Sequence, residues 1–399
     1  MKKTPNRWLI LVAAIVTNLT LGIGYAWSVF QAALLKANEA QGWKLSQTSL
    51  AFSISFAMVP VGMIIFGPKV DKQGPKKFVL LGGILFGLGM ILTGFAATSI
   101  PVLYATYGVL LGLGIGSAYG AATSVAVKWF PDKKGLAGGL TAAGFGSGPI
   151  IFSPIIQGMI GSVGVYDTFK ILGVVCLVIL AGASTVMVKA PDTTSANASA
   201  PAPTGKTYKE MVREKNFWLL WAVYTIGATG GMMIIGTASD IAKTYNLIDP
   251  VQMVMVVGLA NTFGRIFWGS ISDKIGRYLT VVAMFITVGV GMFLLASNQT
   301  LGAIFGVVGT LCVALSFGGF LGAFPGITAE NWGVKNAGSN YGWMFTAYGV
   351  AAIFGPSLGT SIKTANNGDY TVAFYIVMAM AVIGMALQLL YIKQKNKVN

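Results

Sequence analysis

The stretch GPKVDKQGPKK, residues 67–77, decides the fold, because a copy of it, GSISDKIGR, returns at residues 269–277. Two glycines and an aspartate keep their spacing, 202 positions apart, and a basic residue follows: Gly67, Asp71, Gly74 and Lys76, then Gly269, Asp273, Gly276 and Arg277. Each copy joins two long apolar runs. One unit of membrane helices, with a charged hairpin between two of them, has therefore been used twice.

The composition is that of a polytopic membrane protein. Of the 399 residues, 55% are hydrophobic and 10% are charged, whereas roughly 25% are charged in an average soluble domain. Spanning a bilayer takes about 20 apolar residues as a helix, because each backbone amide must be bonded within its own segment. Such runs predict an all-α protein with twelve transmembrane helices, at 8–35, 47–67, 78–97, 101–127, 135–163, 168–188, 217–240, 250–270, 279–298, 301–324, 337–362 and 370–392.

The distribution of basic residues predicts the orientation, since Lys and Arg are retained on the cytoplasmic side. Most of them lie at the termini and in the loops that share a side with the termini. The other side has only Lys36, Lys44, Lys170, Lys243 and Lys363. We therefore expect a multi-pass protein of the cell inner membrane with both termini cytoplasmic. The net charge of +15 is attributed to contact with the anionic lipid leaflet and not with nucleic acid.

The sequence lacks the side chains that an enzyme or a metal site would need. It has no histidine, and Cys176 and Cys312 both fall inside predicted spans, where neither a disulfide nor a metal site has partners. No carboxylate lies near the middle of any predicted span. A membrane enzyme would need a nucleophile or an acid–base pair at that depth. An enzyme is therefore disfavoured, and neither a cofactor nor a metal is expected.

The middle of the chain separates two halves. Residues 189–206, KAPDTTSANASAPAPTGK, lack bulky apolar side chains and have the composition of a flexible tether. We expect a six-helix bundle at 1–188, a cytoplasmic linker at 189–216 and a second, pseudo-symmetric six-helix bundle at 217–399. Within the linker, YKEMVREKNFW at 208–218 predicts a short surface helix that leads into the seventh span.

A second repeat supports the duplication. One tryptophan and three glycines recur 203 positions apart: Trp129, Gly135, Gly139 and Gly146, then Trp332, Gly338, Gly342 and Gly349. The fourth span has further glycines at intervals of four, namely Gly108, Gly112, Gly116 and Gly120. They predict a surface without side chains on which another helix packs closely. A nucleotide-binding glycine loop is disfavoured, because no strand precedes these glycines.

Arg265 is the one charged residue that the sequence places in the middle of a span. Its position costs roughly 2.5–3.5 kcal/mol on insertion scales, so it should face the bundle interior and have a counter-charge. Snorkelling to the membrane edge is disfavoured by its position inside the span. Since no span offers a carboxylate there, we expect the substrate to supply the negative charge to the planar guanidinium. Asn261, one turn earlier, either orients the guanidinium, binds the ligand or packs against a neighbouring helix.

Three stretches carry a resemblance to a known family: YAWSVF at 25–30, WFPDKKGLAGGLTAAGFG at 129–146 and RIFWGSISDKIGR at 265–277. With the two-half plan, they resemble the oxalate/formate antiporter family and the related monocarboxylate transporters of the major facilitator superfamily. The resemblance implies a transporter with the major facilitator fold. It also implies that Arg265 binds the carboxylate of the substrate.

The resemblance implies roles for two further sets of residues. The repeated motif would brace neighbouring helix ends during gating, through Asp71, Asp273, Gly67, Gly269 and Arg277. Aromatic side chains of the first, fourth, tenth and eleventh spans would line the substrate cavity, namely Tyr25, Tyr119, Phe317, Phe345 and Tyr348.

Tyr348 departs from the oxalate carriers of that family, which have a lysine at the aligned position. With a neutral phenol the site offers one fixed positive charge, and the second carboxylate of a dianion would stay unpaired at a cost of several kcal/mol. We therefore expect a monocarboxylate such as lactate or pyruvate, with Phe345 and Tyr348 as an apolar wall that carries one hydroxyl. An oxalate/formate-type antiporter is the alternative, and a membrane sensor with a transporter-like body is a more remote one.

Proton coupling would need a titratable group, and the sequence offers few. Asp240, at the outer end of the seventh span, is the first candidate, with Lys363 and Asp369 by the outer mouth of the last two spans. Each is also explained as an ordinary charge at a helix end. The expected partners are a small carboxylate, the lipid bilayer and protons, for a protein that acts as a monomer. Symport and antiport both stay open.

Overall fold

The computed structural model describes residues 6–95, 99–130, 134–190, 205–333 and 335–398, which form a helical bundle. Ten helices in these ranges are long and apolar enough to cross a membrane. One of the ten, Lys134–Val186, breaks at Gly164, where φ is 80°, and so provides two passes. The helices Ala337–Met344 and Thr346–Ala365 together provide one more. The prediction of twelve transmembrane helices is confirmed.

The passes are labelled in chain order: α1 Arg7–Ala37, α2 Leu45–Gln73, α3 Lys76–Phe95, α4 Ile100–Trp129, α5 134–163, α6 165–186, α7 Lys215–Thr244, α8 Pro250–Ile275, α9 Arg277–Ala296, α10 Ala303–Trp332, α11 Ala337–Met344 with Thr346–Ala365, and α12 Thr371–Val398. A 3-10 turn, Gly22–Ala26, lies within α1. Here α1–α6 are called the N-terminal half and α7–α12 the C-terminal half. The exact boundaries 1–188 and 217–399 stay a prediction. α1 begins and α12 ends at one face, which is the predicted cytoplasmic face.

The repeated motif forms the same helix end in both halves. α2 continues beyond Asp71 and α8 beyond Asp273, and the chain leaves each helix at Gly74 and Gly276, both with φ of 84°. This backbone conformation strains any residue with a Cβ, which explains the glycine in both copies. The loop predicted between the spans 47–67 and 78–97 is therefore shorter than expected, because the polar residues before the glycine are compatible with a helix. The side chains of both aspartates lie outside the described residues, so their role in gating stays a prediction.

The tenth span also extends well beyond its predicted end at residue 324. α10 continues through Pro325 to Trp332 and ends at Gly333, where φ is 83°. A proline removes one backbone donor and often bends a helix, but its fixed φ is compatible with helical geometry when the neighbouring turns are held by packing. Trp332 is 2% exposed, and its backbone carbonyl accepts from the amide of Lys206, so the end of α10 is held on both sides.

Close helix crossings occupy equivalent places in the two halves. α2 meets α4 at Gly62 and Gly116, where a Cβ on Gly116 would lie 2.2 Å from the Val59 carbonyl oxygen. The equivalent crossing, 202 positions later, joins α8 and α10 at Gly264 and Gly318. Such distances allow backbone-to-backbone packing only between residues without side chains. The glycines of the fourth pass thus form a packing surface.

The second repeat marks where the halves meet. A Cβ on Gly146 of α5 would lie 2.7 Å from the hydroxyl of Thr262 in α8. A Cβ on Gly349 of α11 would lie 2.8 Å from the ring of Pro60 in α2. Pro60 and Thr262 are themselves 202 positions apart, so the two contacts are related by the duplication. The interface between the halves is pseudo-symmetric for that reason.

The last part of the predicted linker is folded against the C-terminal half. The amide of Lys206 donates to the Trp332 carbonyl, and the Trp332 indole donates to Glu214 over 3.0 Å. The predicted surface helix over 208–218 is shorter, Tyr208–Met211, because α7 already begins at Lys215. The flexible tether predicted for 189–206 falls mostly on residues 191–204, which lie outside the described residues.

Candidate anion site

Arg265 lies inside the bundle. It follows Gly264, where α8 rests directly on α10, since a Cβ there would lie 2.0 Å from the Leu315 carbonyl oxygen. The Arg265 side chain is 7% exposed, and its Nε has no hydrogen-bond partner. It forms no ion pair with any residue that the structure describes. A buried cation in this situation favours an anionic ligand, because attraction to the ligand offsets part of the desolvation free energy of the guanidinium.

A small cavity adjoins this guanidinium between the two halves. Its lining comes from α1, α2, α4, α5, α8, α10 and α11: Tyr25, Phe56, Val59, Ile115, Tyr119, Phe145, Arg265, Leu321, Phe345 and Tyr348. Arg265 is the single charged residue in this lining. In this conformation the cavity has room for about one water molecule, so the surrounding side chains must move apart to admit a carboxylate. Apolar walls also strengthen the attraction between the guanidinium and an anion.

Five of the seven sequence-predicted binding residues are brought together here: Tyr25, Tyr119, Arg265, Phe345 and Tyr348. The other two are not in the lining. Phe317 lies behind it, with its ring centroid 6.3 Å from that of Tyr25 and 6.2 Å from that of Tyr348. Asn261 is fully buried beside Gly318, and neither polar atom of its side chain has a hydrogen-bond partner.

Sequence reasoning missed half of the lining, namely Phe56, Val59, Ile115, Phe145 and Leu321. These are apolar residues in apolar helices, so their types carry no signal. The duplication does carry a signal for one of these residues. Phe145 precedes Tyr348 by 203 positions, so the second repeat relates one residue of the N-terminal wall to one of the C-terminal wall.

Aromatic rings close the cavity on one side. The Tyr25 ring stacks on Phe56 at a centroid distance of 4.9 Å and meets Phe145 edge-on at 4.9 Å. Tyr348 stacks on Phe345 at 4.5 Å. The hydroxyls of Tyr25 and Tyr348 form a hydrogen bond of 3.0 Å between the two halves. The site thus has one cation, apolar walls and a pair of neutral hydroxyls.

The residues predicted for proton coupling form a separate cluster at the face opposite the predicted cytoplasmic one. Asp240, near the end of α7, accepts from the Lys363 ammonium over 2.6 Å and from the Tyr370 hydroxyl over 2.5 Å. Neither Asp240 nor Lys363 lines the cavity. Nearby, burial acts to raise the pKa of Asp369, but hydrogen bonds from Tyr245 and Thr371 outweigh it and lower that pKa.

A twelve-pass bundle of two related halves around a central cavity, together with the relationships below, indicates a membrane transporter and not an enzyme. The sequence pattern of the Major Facilitator Superfamily matches residues 16–356 and 232–399, and the chain belongs to this superfamily. The resemblance predicted from the motifs is thereby confirmed.

Two relatives and one solved structure illustrate the relationship. The chain is 33% identical to the oxalate:formate antiporter of Oxalobacter formigenes over 393 residues, which are 96% of this chain and 90% of that one. It is 26% identical to apicoplast pyruvate carrier 1 of Toxoplasma gondii over 369 residues, 76% of this chain and 67% of that one. The xylose transporter of E. coli, in a partially occluded inward-open conformation, matches with a TM-score of 0.74 over 96% of this chain and 97% of that one. Its identity of 13% supports the fold alone.

Proposed function

We propose that the protein is a secondary active transporter that moves a small monocarboxylate, such as L-lactate or pyruvate, by alternating access. The observation that carries this proposal is the buried guanidinium of Arg265 in a small cavity, without an anionic partner among the described residues. A carboxylate accepts two parallel hydrogen bonds from a guanidinium, which gives both charge compensation and a fixed orientation. The names of the relatives, an oxalate:formate antiporter and a pyruvate carrier, support a small carboxylate.

The lining favours one carboxylate over two. Arg265 is its single charge, and Tyr348 contributes a neutral hydroxyl. A dicarboxylate would place its second negative charge among the rings of Phe56, Phe145 and Phe345, where an unpaired charge costs several kcal/mol. A short monocarboxylate instead places its carbon end on those rings. Asn261 is proposed as an orienting or ligand-binding amide, because it is buried without a partner one turn before Arg265.

An antiporter of the oxalate/formate type is the second candidate. The observation in its favour is the 33% identity to the oxalate:formate antiporter over nearly the whole chain. The two candidates differ in competition experiments. We expect pyruvate to displace labelled lactate more strongly than oxalate does, and stronger displacement by oxalate would contradict the reading of Tyr348.

Uptake of labelled lactate or pyruvate into vesicles, with and without a pH gradient, tests the proposal. We expect saturable uptake that external acid accelerates, as in proton symport. Uptake that requires substrate inside the vesicle would support antiport. Bound ligand without any flux would support a sensor and would contradict the proposal.

Two further assignments belong to the same proposal. Asp240 and Lys363 are proposed as the proton-coupling pair, because they are joined at an ion-pair distance at the mouth of the C-terminal half. Asp240→Asn should then reduce the acceleration by external acid more than it reduces exchange flux.

The helix ends at Asp71 and Asp273, with Gly67, Gly269 and Arg277, are proposed to brace the gate. The location is proposed to be the inner membrane with both termini cytoplasmic, from the position of the basic residues.

A further inference from the structure

The hydrogen bond between Tyr25 and Tyr348 joins the two halves at the cavity. Among the described residues, side-chain hydrogen bonds between the halves are this one, at 3.0 Å, and a longer one of 3.5 Å between Ser147 and Thr262. The ion pairs between described residues all lie within one half or within the linker and the C-terminal half. Of these two side-chain hydrogen bonds between described residues, the Tyr25–Tyr348 bond is the shorter one that opening of the halves must break.

The hydroxyls of Tyr25 and Tyr348 are each other's hydrogen-bond partners in a buried environment. Tyr25 is 3% exposed and Tyr348 is 2% exposed, and the rings around them are those of Phe56, Phe145 and Phe345. A buried hydroxyl without a partner is costly, whereas a pair of hydroxyls that bond each other is satisfied. The bond is made of protein atoms alone, so the halves can form it without cargo.

The same two hydroxyls line the cavity that contains Arg265. A carboxylate held by the guanidinium would therefore find donors from both halves, Tyr25 from one and Tyr348 from the other. Binding would replace the bond between the phenols with two bonds to the ligand. The cavity then has two ways to close, one with cargo and one without, and only the first also compensates the charge of Arg265.

We infer, resting on the proposed function, that the Tyr25–Tyr348 bond is a clasp that the substrate replaces, and that it lets the empty carrier change sides. A carrier with this property performs net transport and is not limited to exchange. A positively charged side chain in place of Tyr348 would oppose the return of the empty carrier, because closure without an anion would bury two like charges instead of one.

Vesicles loaded with labelled lactate test the inference by comparing two fluxes. Net efflux into lactate-free buffer requires the empty carrier to return, whereas exchange against external lactate does not. For the wild type we expect net efflux within about threefold of exchange. Tyr25→Phe and Tyr348→Phe each leave one buried hydroxyl unpaired in the closed form. Each should slow net efflux about tenfold relative to exchange, because an unpaired group costs about 1–3 kcal/mol and 1.4 kcal/mol is tenfold.

A double variant and a matched control test whether the effect is specific to the hydrogen bond between Tyr25 and Tyr348. Tyr25→Phe with Tyr348→Phe removes both hydroxyls and leaves none unpaired, so the ratio of net efflux to exchange should return to within about threefold of the wild-type ratio. Tyr224→Phe is the control. Tyr224 and Tyr341 are also paired by their hydroxyls, at 3.4 Å, but both belong to the C-terminal half and do not part when the halves do. That variant should leave the ratio unchanged.

A readout that needs no substrate separates this inference from the proposed function. Spin labels at K36C and K243C, with Cys176 and Cys312 replaced by alanine, report the distance between the exposed ends of α1 and α7 at the face opposite the predicted cytoplasmic one. Without ligand, the wild type should favour short distances, and Tyr348→Phe should shift the population about tenfold toward long ones. An unchanged distribution, or wild-type exchange without net efflux, would overturn the clasp and leave the proposed function standing. A shifted distribution without transport of any carboxylate would overturn the proposed function and support the clasp.

Discussion

The crossing of α2 with α4 and the crossing of α8 with α10 are the same structure with different side chains. Glycines allow both pairs of backbones to touch, at positions 202 apart: Gly62 and Gly116, then Gly264 and Gly318. The flanking residues differ. Val59 and Met63 stand in the N-terminal half where Asn261 and Arg265 stand in the C-terminal half. The backbone contact therefore does not depend on the flanking residues, and a polar pair in place of an apolar one distinguishes the crossing that carries the candidate anion site.

Replacing Arg265 should have the largest effect and tests whether the difference between the crossings is functional. Arg265→Lys retains the charge but loses the planar fork, so a bidentate carboxylate loses one of its charged hydrogen bonds. We expect transport of lactate to fall about a hundredfold, the factor for a loss of roughly 2.7 kcal/mol, within the range for breaking a buried charged contact. Initial rates of vesicle uptake at several lactate concentrations measure this change.

The equivalent residue in the other crossing is the control. Met63→Leu conserves volume and changes no charge, so uptake should stay within about twofold of the wild type. Normal transport by Arg265→Lys would refute the bidentate model. An equally large loss in Met63→Leu would show that the crossing itself, and not the charge, limits transport.

The two crossings should respond alike to a methyl group. Alanine at Gly116 or Gly318 places a Cβ 2.2 Å or 2.0 Å from a backbone oxygen, so the helices must separate. We expect each change to destabilise the protein by about 1–3 kcal/mol, the usual cost of overpacking, seen as a lower midpoint of thermal unfolding in detergent.

Gly120 lies on the same face of α4 and serves as the matched control. Its Cβ would meet its nearest atom, Cγ of Met63, at an ordinary 3.5 Å. Gly120→Ala should therefore leave the midpoint unchanged or raise it slightly, because alanine favours a helix over glycine by about 1 kcal/mol. A loss as large as that of Gly116→Ala would indicate that helix bending, and not close packing, explains the glycines.

The smallest effect concerns the pH dependence of stability that the hydrogen bonds of Asp369, in the C-terminal half, should produce. Asp369 accepts hydrogen bonds from Tyr245 and Thr371, and its pKa is lowered. A carboxyl with a lower pKa in the folded state adds stability above its unfolded pKa of about 3.9, and that contribution is lost as pH falls through the folded pKa. Because the group is partly exposed, we expect less than about 1 kcal/mol. Unfolding midpoints measured from pH 6 to about 3 should fall more for the wild type than for Asp369→Asn.

The sequence was informative where a residue is out of place in its surroundings. Arg265 is a charge in an apolar span, and the structure puts it at the cavity. Two glycines of the second repeat, Gly146 and Gly349, lie at contacts between the halves, and Gly116 of the fourth span lies at a contact within one half. The apolar half of the cavity lining could not be predicted, because Phe56 and Phe145 are the same kind of residue as their neighbours that face lipid.

Helix ends were the least predictable part of the fold. Hydropathy marks where the chain leaves the membrane, but a helix persists until the backbone requires another conformation. α2, α8 and α10 accordingly run past their apolar stretches to Gly74, Gly276 and Gly333.

Hydropathy and two internal repeats established twelve membrane helices, two related halves and a lone buried cation, since these depend on composition and spacing along one chain. The partners of that cation, and of each hydroxyl beside it, depend on distances between residues far apart in the chain. Tyr25 and Tyr348 are far apart in sequence, yet their oxygen atoms are 3.0 Å apart. Only the placement of α1 and α11 around the same cavity brings them together, because each helix fixes its own side-chain directions but not the neighbour toward which they point.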